Sequence, residues 1–285
     1  MKILLTGSSG FVGKHFTNKY KEQYEIKSFS FLKDDVNNLN YTDVDVVFHL
    51  SALVHQMDGA SVSEYERVNV KQTLVLAKKA KESGVKQFVF MSTVKVYGEE
   101  TEGVYTENSI CNPKDEYGKS KLKAELELQK LQDKNFKVSI VRTPIVYGYG
   151  VKANIKNLIN LVNKVPVLPF GKIDNRRSMV YIGNLCHLVD VVIEQKQSGI
   201  FLASDDAPLS TSKLIKLISK NFDKNVYLIK IPFFETFLKL FKPSFHKRLY
   251  DSLEVDNALT KEKLHLKNPY NVEDGIYLMI NGEKV

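Results

Sequence analysis

A short apolar strand that runs directly into a glycine-spaced turn most limits what this chain can fold into. Residues 2–6 read Lys-Ile-Leu-Leu-Thr, and residues 6–13 read Thr-Gly-Ser-Ser-Gly-Phe-Val-Gly. Gly7 permits the turn, Gly10 lets the backbone approach a diphosphate, and Gly13 lets a following helix pack on the strand. The phosphates then lie at the helix N-terminus, where unpaired N–H groups and the helix dipole favour negative charge. The opening therefore predicts a dinucleotide-binding strand–turn–helix unit.

Apolar runs of four to six residues alternate with helical patterns beyond this turn. The first helical pattern spans about 64–82, with Ser63 and Glu66 as its predicted capping box and Gly84 just past its end. A second spans about 117–132. This alternation favours an α/β fold with a doubly wound parallel sheet of the Rossmann type, and ligands bind at the carboxyl ends of such strands. Strands are predicted at 2–6, 25–29, 45–50, 87–92, 138–142 and 199–203.

Two stretches depart from the alternation. Residues 30–44 lack helical periodicity, so the crossover between the second and third strands is predicted to be a short loop. Beyond residue 142 the pattern becomes irregular and rich in proline. We therefore expect a Rossmann domain formed by residues 1–142 and about 178–203. A smaller C-terminal substrate-binding lobe is expected from residues 143–177 and 204–285.

Composition narrows the class of protein further. The 285 residues are 43% hydrophobic, enough for a sizeable core, and no apolar run reaches the ~18 residues of a spanning helix. The net charge of +8 fits either a lysine-rich surface or attraction of anionic ligands or an acidic membrane surface. Scattered lysines argue against nucleic acid. Cys111 and Cys186 provide no disulfide framework and no metal spacing, so we expect a cytoplasmic protein without a metal.

A tyrosine and a lysine four residues apart indicate acid–base chemistry on the second predicted helix. Tyr117 and Lys121 share one helix face at this spacing. A phenol with a pKa near ~10 is a poor acid–base group at neutral pH, and a neighbouring ammonium lowers that pKa. Thr93 lies just past the fourth predicted strand, where its hydroxyl is expected to bond the substrate oxygen that Tyr117 protonates. A solvated helix face is the alternative for a lone Tyr-x-x-x-Lys.

Together these motifs resemble the extended short-chain dehydrogenase/reductases that act on nucleotide sugars, the NAD-dependent epimerase/dehydratase type. The resemblance covers essentially the full length and rests on 6–13, on 117–121 and on a Ser/Thr of the family triad at residue 93. It implies Thr93, Tyr117 and Lys121 as the catalytic residues. The cofactor-binding residues that it implies are Gly7, Gly10, Phe11, Val12, Gly13, Ser30, Lys33, Asp35, Val36, Leu50, Ser51, Ala52, Asn69, Ser92, Tyr117 and Lys121.

The same resemblance implies a substrate side that holds a nucleotide diphosphate and its sugar. Surface contacts or helix capping stay open as alternatives for Arg176 and Arg177, and core packing stays open for Phe170. The implied substrate-binding residues are Thr93, Arg177 at the diphosphate, Asn154 at the phosphate, Phe170 at the uracil and Arg248 as a second phosphate ligand.

Two departures from the family bear on cofactor and reaction. Strictly NAD-bound members carry an acid near the position of Ser30, and here Lys33 follows three residues later. This pattern slightly favours NADP(H) over NAD(H), although Asp34 or Asp35 is able to compensate. Dehydratases follow the triad threonine with Asp-Glu, whereas Val-Lys stands at 94–95, so dehydration is not expected.

Segments 147–154 and 175–178 look like those of bacterial UDP-4-keto-6-deoxy-N-acetylhexosamine 4-reductases. The resemblance therefore implies an NAD(P)H-dependent 4-ketoreductase in surface-polysaccharide (O-antigen or capsule) precursor synthesis. The first alternative is a UDP-sugar 4-epimerase with tightly bound NAD, and the second is a non-catalytic dinucleotide sensor. The family commonly dimerises through two helices, which predicts a homodimer through 64–82 and 117–132.

The stretch 233–248 carries more apolar side chains than one narrow helix stripe requires, together with several basic residues. We expect a buried lobe helix that covers the sugar site, ended by Pro243. Weak docking on an acidic membrane surface is the alternative.

Overall fold

The computed structural model describes residues 1–54, 60–101 and 103–282. Its helices and strands follow the predicted strand–helix alternation. In chain order they are β1 (Lys2–Thr6), α1 (Phe11–Tyr20), β2 (Glu25–Phe29), β3 (Val46–His49), α2 (Val62–Tyr65), α3 (Thr73–Glu82), β4 (Gln87–Thr93), α4 (Glu116–Leu131), β5 (Lys137–Thr143), β6 (Ile145–Tyr147), α5 (Ala153–Lys164), β7 (Val167–Leu168), β8 (Met179–Tyr181), α6 (Ile182–Glu194), β9 (Gly199–Leu202), α7 (Thr211–Asn221), β10 (Tyr227–Leu228), α8 (Phe234–Phe241), α9 (Pro243–Tyr250), α10 (Ala258–Leu264) and α11 (Val272–Asn281).

Six parallel strands form the central sheet in the order β2–β1–β3–β4–β5–β9. The predicted doubly wound parallel sheet is thereby confirmed. Strands β1, β3 and β4 are buried on both faces, as their continuous apolar runs require. The strand order reverses between β1 and β3, which places the ligand crevice at their carboxyl ends. Thr6 pairs with His49 in the register at this edge.

The predicted short crossover is also confirmed. Between β2 and β3 the chain forms only a 3₁₀ turn at Val36–Asn38, and the Asp35 carboxylate caps it by accepting the Asn37 N–H at 2.9 Å. Phe29 and Tyr41, on either side of this turn, are buried in one cluster with Leu76, Ala77 and Ala80 of α3.

A long helical run from residue 62 to residue 82 links β3 to β4. It begins at a capping box of Ser61 and Glu64, so the predicted box of Ser63 and Glu66 is wrong. Both pairs fit the Ser-x-x-Glu pattern, and the helix uses the first of them. At the other end Gly84 adopts φ +83° and donates to the Lys81 carbonyl, which confirms the predicted terminating glycine.

The second half of the chain builds smaller sheets beside the central one. Strand β6 pairs with β8, and β7 pairs with β10, each in a two-stranded sheet. One cluster of buried side chains runs from Ile3 and Phe48 in the central sheet to Phe170 and Met179 beyond it. Because this core is continuous, the division into a Rossmann domain and a substrate lobe stays a proposal.

Helix α8 differs from the expected buried helix. Leu238 is its only fully buried residue, whereas Leu240 and Phe241 are 71% and 69% exposed. The expectation is therefore wrong for most of this helix, because its apolar stripe is wider than the core that it covers. Among the described residues, no helix has the length and apolar character needed to cross a membrane.

Candidate active site

A pocket of about 400 Å³ opens at the carboxyl edge of the central sheet. It brings together Thr93 at the end of β4, Tyr117 in the first turn of α4 and Arg177 just before β8. Lys95 and Glu99 line the same pocket. Three residues far apart in sequence thus converge where the parallel topology predicts a ligand.

The first turn of α4 sets the position of Tyr117. Asp115 caps the helix by accepting the Gly118 N–H at 2.7 Å. A Cβ on Gly118 would lie 2.9 Å from the Lys95 carbonyl oxygen, so the helix approaches the end of β4 more closely than a side chain permits. This close approach brings the phenol of Tyr117 to the pocket that also contains the Thr93 hydroxyl.

Burial controls the protonation of the two predicted acid–base residues. It raises the pKa of the Tyr117 phenol above its ordinary value, with smaller contributions from Asp115 and Tyr65. Lys121 is 2% exposed, and burial lowers its pKa to about 7 while the Glu125 carboxylate opposes the shift. The Lys121 Nζ lies 3.9 Å from the centre of the Phe90 ring. Burial therefore sets the direction of the Tyr117 pKa shift in this structure, and the predicted lowering of that pKa by Lys121 is not observed.

The turn between β1 and α1 fits the diphosphate of a dinucleotide. Gly7 adopts φ +71°, which favours glycine, and a Cβ on Gly13 would lie 2.7 Å from the Ser8 Cα. Gly10 occupies the N-cap and offers no side chain to the first turn. The N–H groups at Phe11 and Val12 therefore meet no capping side chain at this helix start, which suits an anion.

A line of buried side chains ties this turn to the end of β3. The Thr6 hydroxyl oxygen accepts the N–H groups of Leu50 and Ser51, both at 3.1 Å, and lies 2.8 Å from Nδ1 of His49. The predicted cofactor segment that ends at Ala52 is thus fixed against β1. On the other side of the ring, Nε2 of His49 lies 2.9 Å from the Thr73 hydroxyl.

The donors in this line can be assigned. Thr73 donates its hydroxyl hydrogen to the Asn69 carbonyl at 2.9 Å, so Nε2 of His49 carries the hydrogen and donates to Thr73. Nδ1 of His49 then accepts from Thr6. The imidazole is neutral, consistent with burial lowering its pKa to about 3. The network requires this neutral form, because Thr6 already accepts two backbone N–H groups.

Asn69 extends the line to the helix that carries Tyr117. Asn69 lies in a π-helical segment, Glu66–Gln72, and π-helical turns often occur at functional sites. The Asn69 side chain accepts from the Leu53 N–H at 2.8 Å and donates to the Ser120 hydroxyl at 2.9 Å. Ser120 in turn donates to the Tyr117 carbonyl at 2.8 Å. Asn69 therefore joins the segment after β3 to the first turns of α4.

The end of β2 contains both candidate ribose-binding groups. The Asp34 carboxylate accepts the Ser30 N–H at 3.1 Å, so it lies at the carboxyl end of this strand. Lys33 is exposed beside it. Asp35 is committed to the 3₁₀ turn that contains Val36, because Asp35 accepts from both the backbone and the side chain of Asn37. Asp34 therefore provides a carboxylate at the end of β2, where Ser30 stands in place of the acidic residue of NAD-bound family members.

A buried ion pair joins α4 to β5. Arg142 on β5 donates to the Glu125 carboxylate from NH2 at 2.6 Å and from Nε at 3.2 Å, and both residues are nearly inaccessible to solvent. The Arg142 guanidinium also donates to the Tyr97 hydroxyl at 2.7 Å. Ser92, the residue before Thr93, donates its hydroxyl to Glu125. Glu125 thereby joins the end of β4 to the helix of Lys121 and Tyr117.

The predicted substrate ligands separate into two groups. Arg177 lines the pocket, although its NH1 also donates to the carbonyls of Lys247 and Asp251, at 3.2 and 3.1 Å. Arg248 donates to the Asn154 side chain at 3.3 Å, so these two predicted ligands lie together. The contacts of Arg177 and Arg248 thus join the end of α9 to the pocket and to the start of α5.

The structure also bears on the alternatives that the sequence left open for Phe170 and Arg176. Phe170 is 4% exposed and packs 6.3 Å from the Phe234 ring, so the structure places it in the core and not among the residues that line the pocket. Arg176 forms a bidentate ion pair with Glu254 at 2.5 and 2.7 Å on the surface. A uracil contact by Phe170 stays a prediction.

Sequence reasoning missed the charged side chains around the pocket entrance. The Lys95 Nζ lies 2.5 Å from the Asp115 carboxylate and 3.4 Å from that of Glu99. The signal was present, because Lys95 stands two residues after Thr93, where a side chain just past the strand end lies near the crevice.

Protonation of His49 is expected to weaken the fold in acid. The unfolded chain binds a proton near pH 6.5, whereas the folded ring does so only near pH 3, so stability falls as the pH falls through this interval. At about pH 5 the cost is about 2 kcal/mol. Urea denaturation of wild type and His49→Gln at several pH values measures it. Parallel pH profiles for the two proteins would contradict the assignment.

Comparisons with known proteins agree with this geometry. A model of the NAD dependent epimerase/dehydratase family matches residues 3–202. The chain is 38% identical over 304 residues to a UDP-glucose 4-epimerase from Vibrio cholerae, covering 96% of this chain and 92% of that protein. It is 26% identical over 251 residues to N-acetyl-alpha-D-glucosaminyl-diphospho-ditrans,octacis-undecaprenol 4-epimerase from Escherichia coli O157:H7, covering 81% and 75% of the two chains.

A solved structure shows the same fold over nearly the whole chain. The UDP-glucuronic acid 4-epimerase from Bacillus cereus in complex with NAD aligns with a TM-score of 0.79 at 21% identity, covering 99% of this chain and 98% of that one. The family match spans most of the chain, and the Vibrio cholerae relative covers it almost completely. This chain therefore belongs to the NAD dependent epimerase/dehydratase family.

Proposed function

We propose that this protein oxidises and reduces C4 of a UDP-linked sugar, with 4-epimerisation as the net reaction. The observation that carries the proposal is the meeting of Thr93, Tyr117 and Arg177 in one pocket. A bound nicotinamide dinucleotide supplies the hydride acceptor and donor. The glycine turn at 7–13, the segment 50–52 and Lys121 would hold it.

The residues of the pocket have separate proposed tasks. Thr93 donates a hydrogen bond to the C4 oxygen and orients it, and Tyr117 exchanges the proton of that oxygen as hydroxyl and keto forms interconvert. Lys121 lies one helical turn after Tyr117 on the same face of α4, where it would hold the bound dinucleotide beside the phenol. Arg177 binds the diphosphate, for which a guanidinium provides paired donors. Proton transfer of this kind contributes about 10²–10⁴-fold to the rate.

Three observations support epimerisation over the reduction favoured by the sequence. Asn175 and Ser178, from the reductase-like segment, bond to backbone groups in the interior, and Arg176 is paired at the surface, so scaffold roles explain much of that resemblance. The Asp34 carboxylate at the end of β2 also removes the main objection to NAD. The 38% identity to a UDP-glucose 4-epimerase also supports epimerisation.

Net 4-ketoreduction is the second candidate, and the exposed Lys33 beside Ser30 favours it. The Tyr117 phenol, whose pKa burial raises, would donate its proton to the keto oxygen. In this reading an NAD(P)H molecule is consumed in each turnover. Lys33 beside Ser30 then suits the 2′-phosphate of NADP(H).

One pair of assays separates the candidates. Purified protein is incubated with UDP-glucose or UDP-GlcNAc without added cofactor, and product NMR monitors inversion at C4. A parallel reaction couples a 4,6-dehydratase to UDP-GlcNAc and measures NADPH or NADH consumption. Inversion without net consumption supports epimerisation, and stoichiometric consumption supports reduction. Failure of both, with a sugar on a polyprenyl diphosphate included as a further substrate, rules out the proposal.

Cofactor preference is expected to depend on Asp34. We propose NAD(H) as the preferred cofactor, because the Asp34 carboxylate lies beside Ser30 at the carboxyl end of β2, and an acid near this point of the fold bonds the ribose hydroxyls of NAD. Asp34→Asn is expected to weaken NAD binding by about 10–100-fold, the value of a hydrogen bond to a charged group, and to leave NADP binding unchanged or tighter. Fluorescence titration of both dinucleotides measures this. Lys33→Gln is the matched control, and a selective loss of NADP binding there would favour the alternative cofactor.

The remaining proposals concern location and assembly. We propose a cytoplasmic enzyme that acts as a homodimer through α3 and α4, in line with the family resemblance. Sedimentation measurements test the dimer, and monomeric behaviour of active protein would contradict it.

A further inference from the structure

Helix α8 and the turn before it expose an apolar ridge that the fold does not cover. We define the ridge by Phe233, Phe237, Leu240 and Phe241, which are 85%, 51%, 71% and 69% exposed. Their spacing of four, three and one residues places them along one side of the helix. The rings of Phe237 and Phe241 lie 4.8 Å apart, so the ridge is continuous. Soluble surfaces rarely place large apolar side chains side by side in this way.

The core uses only the other part of the same apolar stripe. Leu238 is 4% exposed, and Phe234 packs 6.3 Å from the Phe170 ring. These two contacts attach α8 to the protein. The ridge residues therefore contribute little to the core, and their apolar surface is available to a ligand outside the chain.

The backbone before α8 holds Phe233 outward at a cost. Phe233 adopts φ +61°, in the left-handed region that a bulky side chain rarely occupies. Its carbonyl still accepts the Phe237 N–H at 2.9 Å, so the strained residue begins the helix.

Positive charge surrounds the ridge. Lysines are exposed at Lys230, Lys239 and Lys242, and Lys247 is exposed but pairs with Glu100 at 3.7 Å. Glu235 is the single acid between residues 229 and 247. The lysines lie beside the apolar ridge on the same segment, which is the arrangement of a helix that rests in the plane of a membrane surface. An apolar protein partner would not require this excess of cations, whereas anionic headgroups complement it.

We propose that the ridge and its flanking lysines dock this protein on an anionic phospholipid bilayer. The aromatic and leucine side chains enter the boundary between headgroups and acyl chains, and the lysine ammonium groups bind lipid phosphates. Helix α9 follows directly, and its last turn accepts hydrogen bonds from Arg177 in the pocket wall. The docked surface is thus structurally connected to the candidate active site, although docking does not depend on the proposed reaction.

Vesicle flotation tests the proposal with the full-length protein. Wild type is mixed at physiological salt with vesicles of equal parts phosphatidylcholine and phosphatidylglycerol, or of phosphatidylcholine alone. We expect flotation with the anionic vesicles, at least about tenfold weaker binding to the neutral ones, and release as salt is raised. Protein that stays in the soluble fraction with anionic vesicles overturns the proposal.

Matched variants separate the apolar and charged contributions. Phe233→Ser with Phe237→Ser is expected to lower vesicle binding about tenfold or more, whereas the control Val104→Ser with Ile110→Ser, at exposed positions elsewhere, is expected to leave it unchanged. Lys230, Lys239 and Lys242 changed to Gln are compared with Lys21, Lys134 and Lys267 changed to Gln, which remove the same charge elsewhere. Equal losses in a variant and its control overturn the assignment.

Two further measurements keep the result specific. Circular dichroism and turnover of a soluble UDP-sugar are expected to be unchanged in the ridge variants, because none of the changed residues lines the pocket. Sedimentation of wild type tests whether a second copy covers the ridge instead. A dimer that is lost in the Phe233→Ser, Phe237→Ser variant would replace the membrane by a second copy of the chain.

Discussion

Tyr117→Phe is expected to lower turnover by about 10²–10⁴-fold, because the substitution removes the one hydroxyl proposed to exchange the C4 proton. The aromatic ring and the helix that carries it stay in place, since Asp115 caps α4 through the Gly118 N–H and not through the phenol. Dinucleotide binding is therefore expected to change little. Steady-state rates with a UDP-sugar, together with fluorescence titration of the dinucleotide, measure the two effects separately.

A neighbouring phenol provides the control. The Tyr65 ring lies 6.4 Å from that of Tyr117, and its hydroxyl donates to the Val54 carbonyl at 3.3 Å. Tyr65→Phe is expected to change the rate by less than about tenfold, the value of one ordinary hydrogen bond. Comparable losses in both variants would show that packing around α4, and not proton transfer by Tyr117, accounts for the effect.

The pH dependence of the turnover rate tests Lys121, the residue predicted to act with Tyr117. The phenol has a raised pKa, and Lys121 has a pKa of about 7 in this structure. A rate that depends on the charge of Lys121 is therefore expected to change near neutral pH. Lys121→Met is expected to abolish this titration, and an unchanged profile would remove Lys121 from the proton-transfer step.

Local patterns sufficed to predict the central sheet. The runs at 2–6 and 25–29 are strands with the predicted bounds, and the missing helix between β2 and β3 was visible as missing periodicity. These features depend on residues close in sequence. The convergence of Thr93 and Tyr117 was also predictable, because parallel strands present their carboxyl ends at one edge.

Features that depend on tertiary contacts were not predictable in the same way. The neutral form of His49 follows from contacts with Thr6 and Thr73, which lie 43 and 24 residues away. The side chain of Asp34 folds back onto Ser30, and no periodicity indicates that contact. The expectation that α8 is buried was wrong. The sequence shows how wide an apolar stripe is, but not which part of it the core covers.

The pair formed by Glu125 and Arg142 was missed for a related reason. Arg142 ends a predicted strand, and Glu125 lies on a helix whose apolar side was assigned to leucines. Neither residue belongs to a motif. Their 2.6 Å contact at 1–3% exposure exists only once α4 packs on β4 and β5.

Glu125→Gln is expected to lower the free energy of unfolding by about 3–5 kcal/mol, because it leaves the Arg142 guanidinium buried without its counter-charge. The same change removes the carboxylate that accepts from Ser92 and lies near Lys121. Urea denaturation measures the stability. Glu116→Gln is the matched control, because its ion pair with Lys119 is exposed and worth about 0–1 kcal/mol.

A paired replacement separates the charge from its position. Glu125→Leu with Arg142→Met removes both charges and is expected to recover most of the lost stability, since an apolar pair avoids the desolvation cost of two buried ions. Turnover is expected to stay low in the double variant if Glu125 also positions Ser92 and Lys121 beside the pocket. Recovery of both stability and rate would assign the ion pair to folding alone. Recovery of stability without rate would make Glu125 a positioning residue for the strand end that carries Thr93 and for the helix that carries Tyr117.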